Sequence, residues 1–190
     1  LMEHCLRWLE GRGVRQVKLD ATDMGRPLYE KLGFREERRT ERWGASREKA
    51  TTPEPAQLPA ASVAACDRET FGVDRSRLIG QLVSAFPGQG EWLEGGGFIL
   101  GRPGANAYFL GPCAATGAEV ARRLIAGLMD RSGEQRFLWD LFPDHGPAAA
   151  VAQGLGFERR RQLVRMSLRP GASAGGRPER VFAAAGFEYG

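Results

Sequence analysis

The chain has 190 residues, 42% hydrophobic and 26% charged, with a formal net charge of +4. That length holds one domain or one and a half, and no apolar run approaches the ~20 residues that span a bilayer. Three widely spaced cysteines exclude a disulfide framework and predict reduced thiols in a cytoplasm, and two distant histidines, His4 and His145, offer no metal-ligand spacing.

Residues 1–10 read as a helix, with Met2, Cys5, Leu6 and Leu9 on one apolar face and Gly11 and Gly13 as its stop. It carries no start signal, which predicts residues upstream of Leu1. Val17 and Leu19 alternate with Lys18 and Asp20 as in a strand. Residues 21–25 form a turn, and Pro27 sits in the first turn of a short helix, where its missing N–H is not needed. Leu28, Tyr29 and Leu32 give that helix an apolar side, and Gly33 ends it in a left-handed cap before Phe34 and a basic strand.

The stretch VKLDATDMGRPLYEKLGF resembles the C-terminal half of the GCN5-related N-acetyltransferase (GNAT) fold over residues 1–43. The resemblance implies a mixed, largely antiparallel α/β sheet flanked by helices and acetyl-CoA as cosubstrate. It also implies a catalytic role for Tyr29, four residues before Gly33, as proton donor to the departing thiolate. Asp23 and Gly25 match positions that approach the cofactor arm, with Asp23 standing where Asn is usual. In the family a Gly-rich loop opens the preceding helix and holds the pyrophosphate on backbone N–H groups. Here that loop falls before Leu1, so the resemblance implies a truncated first domain.

Residues 44–61 shift to Ala, Thr, Pro, Glu and Gln, and Pro53, Pro55 and Pro59 make this a linker between domains 1–43 and 62–190. In the second unit, residues 67–72 read as a short helix or turn, and 74–86 as an amphipathic helix with Asp74 as N-cap. Strands follow at 91–93, 97–102 and 107–110, with a hairpin turn at Gly95–Gly96–Gly97 and a break at Gly111–Pro112. A helix over 117–129, a strand over 137–142, a short helix over 147–155 and a strand over 163–168 complete it. Residues 170–178 read as a flexible tail, and 179–190 as a short apolar helix that docks on one of the two domains.

Both units share one order: helix, Gly break, strand with Asp20 or Asp140, short helix, Leu-Gly-Phe, basic strand. The fold expected is therefore one partial and one near-complete GNAT copy, similar to a bacterial type with tandem domains. The second copy departs where the chemistry lies. Ala152 stands in place of the phenol, and the candidate cofactor loop, 113–118, has one glycine and no Arg or Gln at its start, so it reads as an ordinary helix N-terminus.

The remaining candidates read as structural. Asp140, Asp144 and His145 sit at a strand end and turn, where such residues are common. Cys113 lacks a base and reads as a small buried thiol. The basic runs 35–47 and 159–165 read as solvated faces, with Arg38, Arg42, Glu37 and Arg39 pairing locally. They lack the aromatic interleaving of a nucleic-acid surface.

The function expected is acetyl transfer from acetyl-CoA to a small-molecule or peptide amine, with Tyr29 catalytic, Asp23 and Gly25 at the cofactor, and no metal, nucleic acid or membrane. Two rivals stand beside it: a non-catalytic ligand-binding or sensing module, and a scaffold that forms a homodimer through the exposed first half.

Overall fold

A computed structural model describes residues 1–48, 57–169, 175–187 and 189. In chain order the elements are α1 (Met2–Glu10), β1 (Val17–Ala21), α2 (Arg26–Lys31), β2 (Arg35–Ser46), α3 (Ala60–Phe71), α4 (Ser76–Ala85), β3 (Gly90–Leu93), β4 (Gly97–Pro103) and β5 (Tyr108–Ala115). There follow α5 (Ala118–Ser132), β6 (Arg136–Leu141), α6 (Gly146–Gly154), β7 (Glu158–Leu168) and, after a single 3₁₀ turn, β8 (Val181–Ala183). Among the described residues no helix is long and apolar enough to cross a membrane.

The stretches expected as separate domains contribute to one eight-stranded sheet of order β1-β7-β2-β6-β5-β4-β3, with β8 paired to β5. β2 lies between β6 and β7, and β7 lies between β1 and β2. Each strand–helix–strand unit, β1–α2–β2 and β6–α6–β7, thus sends its last strand into the other. All described pairings are antiparallel except β5 with β6. The observed architecture is a mixed α/β fold with a largely antiparallel sheet flanked by helices.

Side chains alternate across the sheet. Ile99 joins Trp43, Leu110, Trp139 and Phe157 under α5 and α6, while its neighbours Phe98 and Leu100 face α3 and α4. Trp139, Phe98 and Phe137 are almost wholly buried, and each such side chain contributes ~1.5–3 kcal/mol relative to exposure. A smaller cluster, centred on Phe34, Val164 and Met166, holds Leu6, Leu19 and Tyr29 at its margin.

Several expected boundaries move. The linker shortens at both ends, because β2 runs to Ser46 and α3 begins at Ala60; residues 49–56 lie outside the described residues. The turn expected near Asp67 is part of the twelve-residue α3, capped by Gly72 at φ 73°. β5 does not break at Gly111–Pro112. It exchanges partners there, pairing with β6 over Tyr108–Leu110 and with β8 at Cys113 and Ala114. Gly111 permits this at φ 142°, where a Cβ would strike the Ala184 carbonyl.

The helix expected over 179–190 is the second correction. Val181–Ala183 is extended and fully buried. Its backbone meets the unpaired side of β5, and Ala184 N–H donates to the Asp140 carbonyl at 2.8 Å. A buried strand edge left without partners costs more than a short helix returns, so tertiary pairing overrides the local pattern. Of the expected tail, residues 170–174 lie outside the described residues, and Arg177 N–H donates to the Thr70 carbonyl at 2.8 Å.

Candidate functional site

The turn before α2 is closed by Thr22, whose carbonyl and Oγ1 accept the Gly25 N–H at 3.0 and 3.1 Å. A Cβ on Gly25 would lie 3.5 Å from the Tyr29 ring, so the glycine stands beside the phenol. Tyr29 is half-buried, its ring edge-on to Phe34 with centroids 6.0 Å apart. The Tyr29 carbonyl accepts Leu32 N–H at 3.0 Å and Phe34 N–H at 3.1 Å, and Gly33 takes φ 90°. This cap holds the phenol at the edge of the small cluster. Asp23 stands outside it, 81% exposed, with Arg39 Nη1 3.6 Å away. Gly25 and Tyr29 are therefore brought together and Asp23 is not, while the Gly25 amide is already spent on Thr22.

The second unit repeats the cap without a tyrosine. The Ala152 carbonyl accepts Leu155 N–H at 3.2 Å and Phe157 N–H at 2.9 Å, and Gly156 takes φ 79°. Ala152 is wholly buried, leaving no room for a phenol.

The strand exchange creates a charged seam that sequence reading missed. On the face opposite Trp43 and Trp139, Arg42 donates to both carboxylate oxygens of Asp140, each at 2.7 Å. Arg165 likewise grips Asp20 at 3.1 and 2.6 Å, and Thr40 Oγ1 donates to Asp20 at 3.0 Å. Each aspartate thus pairs with the arginine of the other unit. Arg38 donates to Asp144 at 2.6 Å and stacks on Phe142 at 4.0 Å, and Arg42 lies 4.3 Å over Phe187. The local pairings expected among Arg38, Arg42, Glu37 and Arg39 do not occur; Glu37 accepts from Lys18, and Arg39 turns to Glu36 and Asp23. The available signal was the repeat itself, since Arg42 follows Phe34, and Arg165 follows Phe157, by eight residues.

The other candidates separate. Asp140 and Asp144 serve arginines, and His145 opens α6 with its ring edge-on to Phe182 at 4.9 Å. Burial pushes the Cys113 thiol far up, and it raises the half-buried Cys66 thiol as well; neither is a ready nucleophile. Gly96 N–H donates to Leu93 at 2.9 Å, closing the expected hairpin. Among the described residues no group of His, Cys, Asp and Glu could hold a metal ion.

The expected cofactor loop of the second unit is the end of β5 followed by the start of α5. A cleft of ≈ 370 Å³ opens beside it, bounded by Thr116, Gly96, Cys66, Trp92, Glu69 and Arg180. Thr116 N–H donates to the Gly96 carbonyl at 2.9 Å, and Arg180 faces Glu69 at 3.6 Å. β8 fills the gap where β5 leaves β6, with Trp139 Nε1 donating to the Phe182 carbonyl at 2.9 Å. The first turn of α5 carries no side-chain cap.

Comparison with known proteins bears on both units. The chain is similar to a putative acetyltransferase from Pyrococcus horikoshii, with 22% identity and a TM-score of 0.78 over 99% of this chain and 65% of that one. It thus spans under two thirds of that protein's length. A GCN5-related N-acetyltransferase from Sphaerobacter thermophilus is 16% identical with a TM-score of 0.61, over 92% of this chain and 69% of that one. A third, from Kribbella flavida, is 17% identical with a TM-score of 0.54, over 88% and 46%. No curated protein matches. At these identities the structures speak for the fold, and it is the one observed here. The acetyltransferase (GNAT) domain family matches residues 63–183, which hold β3 to β8 and the cap at Ala152. By that match the chain belongs to the GNAT acetyltransferase family.

Proposed function

We propose that the protein moves an acetyl group from acetyl-CoA to an amine, with Tyr29 as the proton donor. Acetyl-CoA supplies the activated acetyl group as a thioester. The amine nitrogen forms a bond to the carbonyl carbon, the C–S bond breaks, and the proton on Tyr29 Oη passes to the departing sulfur. The amine proton leaves to water or a base. Tyr29 carries this reading: the Gly33 cap fixes its helix, Gly25 meets its ring, and it stands half-exposed at the cluster edge. The second unit serves as scaffold, because Ala152 replaces the phenol and β8 occupies the gap beside β5.

The test is thiol release from acetyl-CoA across a panel of small-molecule amines and peptide N-termini. A positioned acid contributes about 10²–10⁴-fold, so Tyr29→Phe should lower kcat by that range with little change in KM. Unaltered kcat would remove Tyr29 from the chemistry.

A further inference from the structure

The two strand–helix–strand units turn at matching places. In the first, the Thr22 carbonyl accepts Gly25 N–H at 3.0 Å; in the second, the Phe142 carbonyl accepts His145 N–H at 3.0 Å. Thr22 follows Asp20, and Phe142 follows Asp140, by two residues. The first turn leads into the helix of Tyr29 and the second into that of Ala152. One buried side chain reaches both turns. Arg165, in β7, donates through Nε and Nη2 to the two carboxylate oxygens of Asp20 at 3.1 and 2.6 Å. Its guanidinium carbon also lies 5.3 Å from the centroid of the Phe142 ring, within cation–π reach.

The sheet builds this contact. Asp20 and Arg165 are directly opposed in the antiparallel pairing of β1 with β7, so their side chains share a face. Thr40, from β2, donates to the same Asp20 oxygen that accepts from Arg165 Nε. Asp20 is therefore held from two strands, almost out of water. Two parallel N–H donors fix a carboxylate in angle as well as in distance. Fixed in this way, Asp20 holds the carboxyl end of β1, and Thr22 closes the turn two residues on. Asp140 is gripped by Arg42 in the same bidentate manner, but the helix that follows it carries no phenol.

We infer that Arg165 is a positioning residue: through Asp20 it sets the place of the turn that leads to Tyr29, so the second unit acts on the site of the first. Its consequence for catalysis rests on the role proposed for Tyr29; its hold on the turn does not. The backbone pairs of Asp20 with Arg165 and of Ala21 with Val164 are separate from the ion pair, so its removal shifts the turn without detaching the strand.

The test is Asp20→Asn, which keeps the shape of the side chain and removes its charge, with Asp140→Asn as its counterpart in the second unit. Arg165→Lys, which keeps the charge and gives up the paired donors, takes its place should Asp20→Asn fail to fold. NMR reads the Gly25 amide and the Tyr29 ring, and thiol release from acetyl-CoA gives kcat and KM. The expected result is that Asp20→Asn or Arg165→Lys moves both signals and lowers kcat by roughly 10- to 100-fold at unaltered KM, whereas Asp140→Asn does neither. In a Tyr29→Phe background neither substitution should lower kcat further. Unmoved Gly25 and Tyr29 signals would overturn the inference, as would equal shifts with Asp140→Asn. So would an unaltered kcat where Tyr29→Phe lowers it, or a kcat that falls as far with Tyr29 already replaced, which is the mark of a general loss of packing. Moved signals beside full activity in Tyr29→Phe would uphold the hold on the turn and remove only the role of Tyr29.

Discussion

Trp139 and Leu19 stand at matching places in the two strand–helix–strand units, one residue before an aspartate. Trp139 is wholly buried against Phe157, their rings 5.3 Å apart, whereas Leu19 is only partly buried. The same contrast runs through the helices. α6 buries Ala148, Val151 and Ala152, and α2 buries none of its residues. Similar strand–helix–strand arrangements thus serve two ends: a packed unit that carries the core, and an open unit that keeps a phenol within reach of solvent. The caps are alike, so the difference lies in what covers each unit and not in the local fold.

The largest expected effect tests that contrast directly. Trp139→Ala should cost ~3–5 kcal/mol in urea unfolding, against about 1 kcal/mol for Leu19→Ala, whose side chain is only partly removed from water. Equal losses would mean that the open unit is packed as firmly as the closed one. The crossed ion pairs should break the contrast. Asp20→Ala leaves Arg165, 7% exposed, without its carboxylate and should cost ~3–5 kcal/mol, although Asp20 belongs to the open unit. Asp140→Ala should cost somewhat less, because Arg42 is 24% exposed and water replaces part of the loss.

A third comparison exchanges the cap residues. Ala152→Tyr should destabilise by ~1–3 kcal/mol through overpacking, while Tyr29→Phe should leave the unfolding midpoint in place. The smallest contrast concerns the glycine stops. Both have positive φ, so an alanine costs ~1–2 kcal/mol at either. Gly33→Ala should be the worse, since its Cβ would lie 3.2 Å from Leu168 Cδ1 and that of Gly156 meets nothing within 4 Å. Thermal melts of the two variants decide this.

Local features were legible in the sequence because local residues cause them. The Gly33 and Gly156 stops, the hairpin at Gly95–Gly96 and the amphipathic α5 follow from backbone freedom and apolar spacing. What was not legible depends on residues far apart. Nothing near Val181 says that an unpaired side of β5 awaits it, and a Gly-Pro pair reads as a break unless a second partner takes over the strand. Arg42 and Arg165 sit in runs that look solvated; only the strand exchange puts each beside the other unit's aspartate. For the site, the closeness of Gly25 to Tyr29 follows from their four-residue spacing across one helical turn, whereas Arg39 is brought alongside Asp23 by the course of β2.

The exchange of β2 and β7 also sets a timetable. β2 ends at Ser46, yet its neighbours are β6 and β7, which begin at Arg136 and Glu158. As the chain leaves the ribosome, β2 has neither partner until β6 and β7 have been made, and β5 waits longer still for Val181–Ala183. Pairings this distant in sequence are slow to form. Until then a strand rich in Arg and Glu stands exposed. The charges at 35–42, besides gripping Asp140 and Asp144 at the end, repel stray strands while β2 waits.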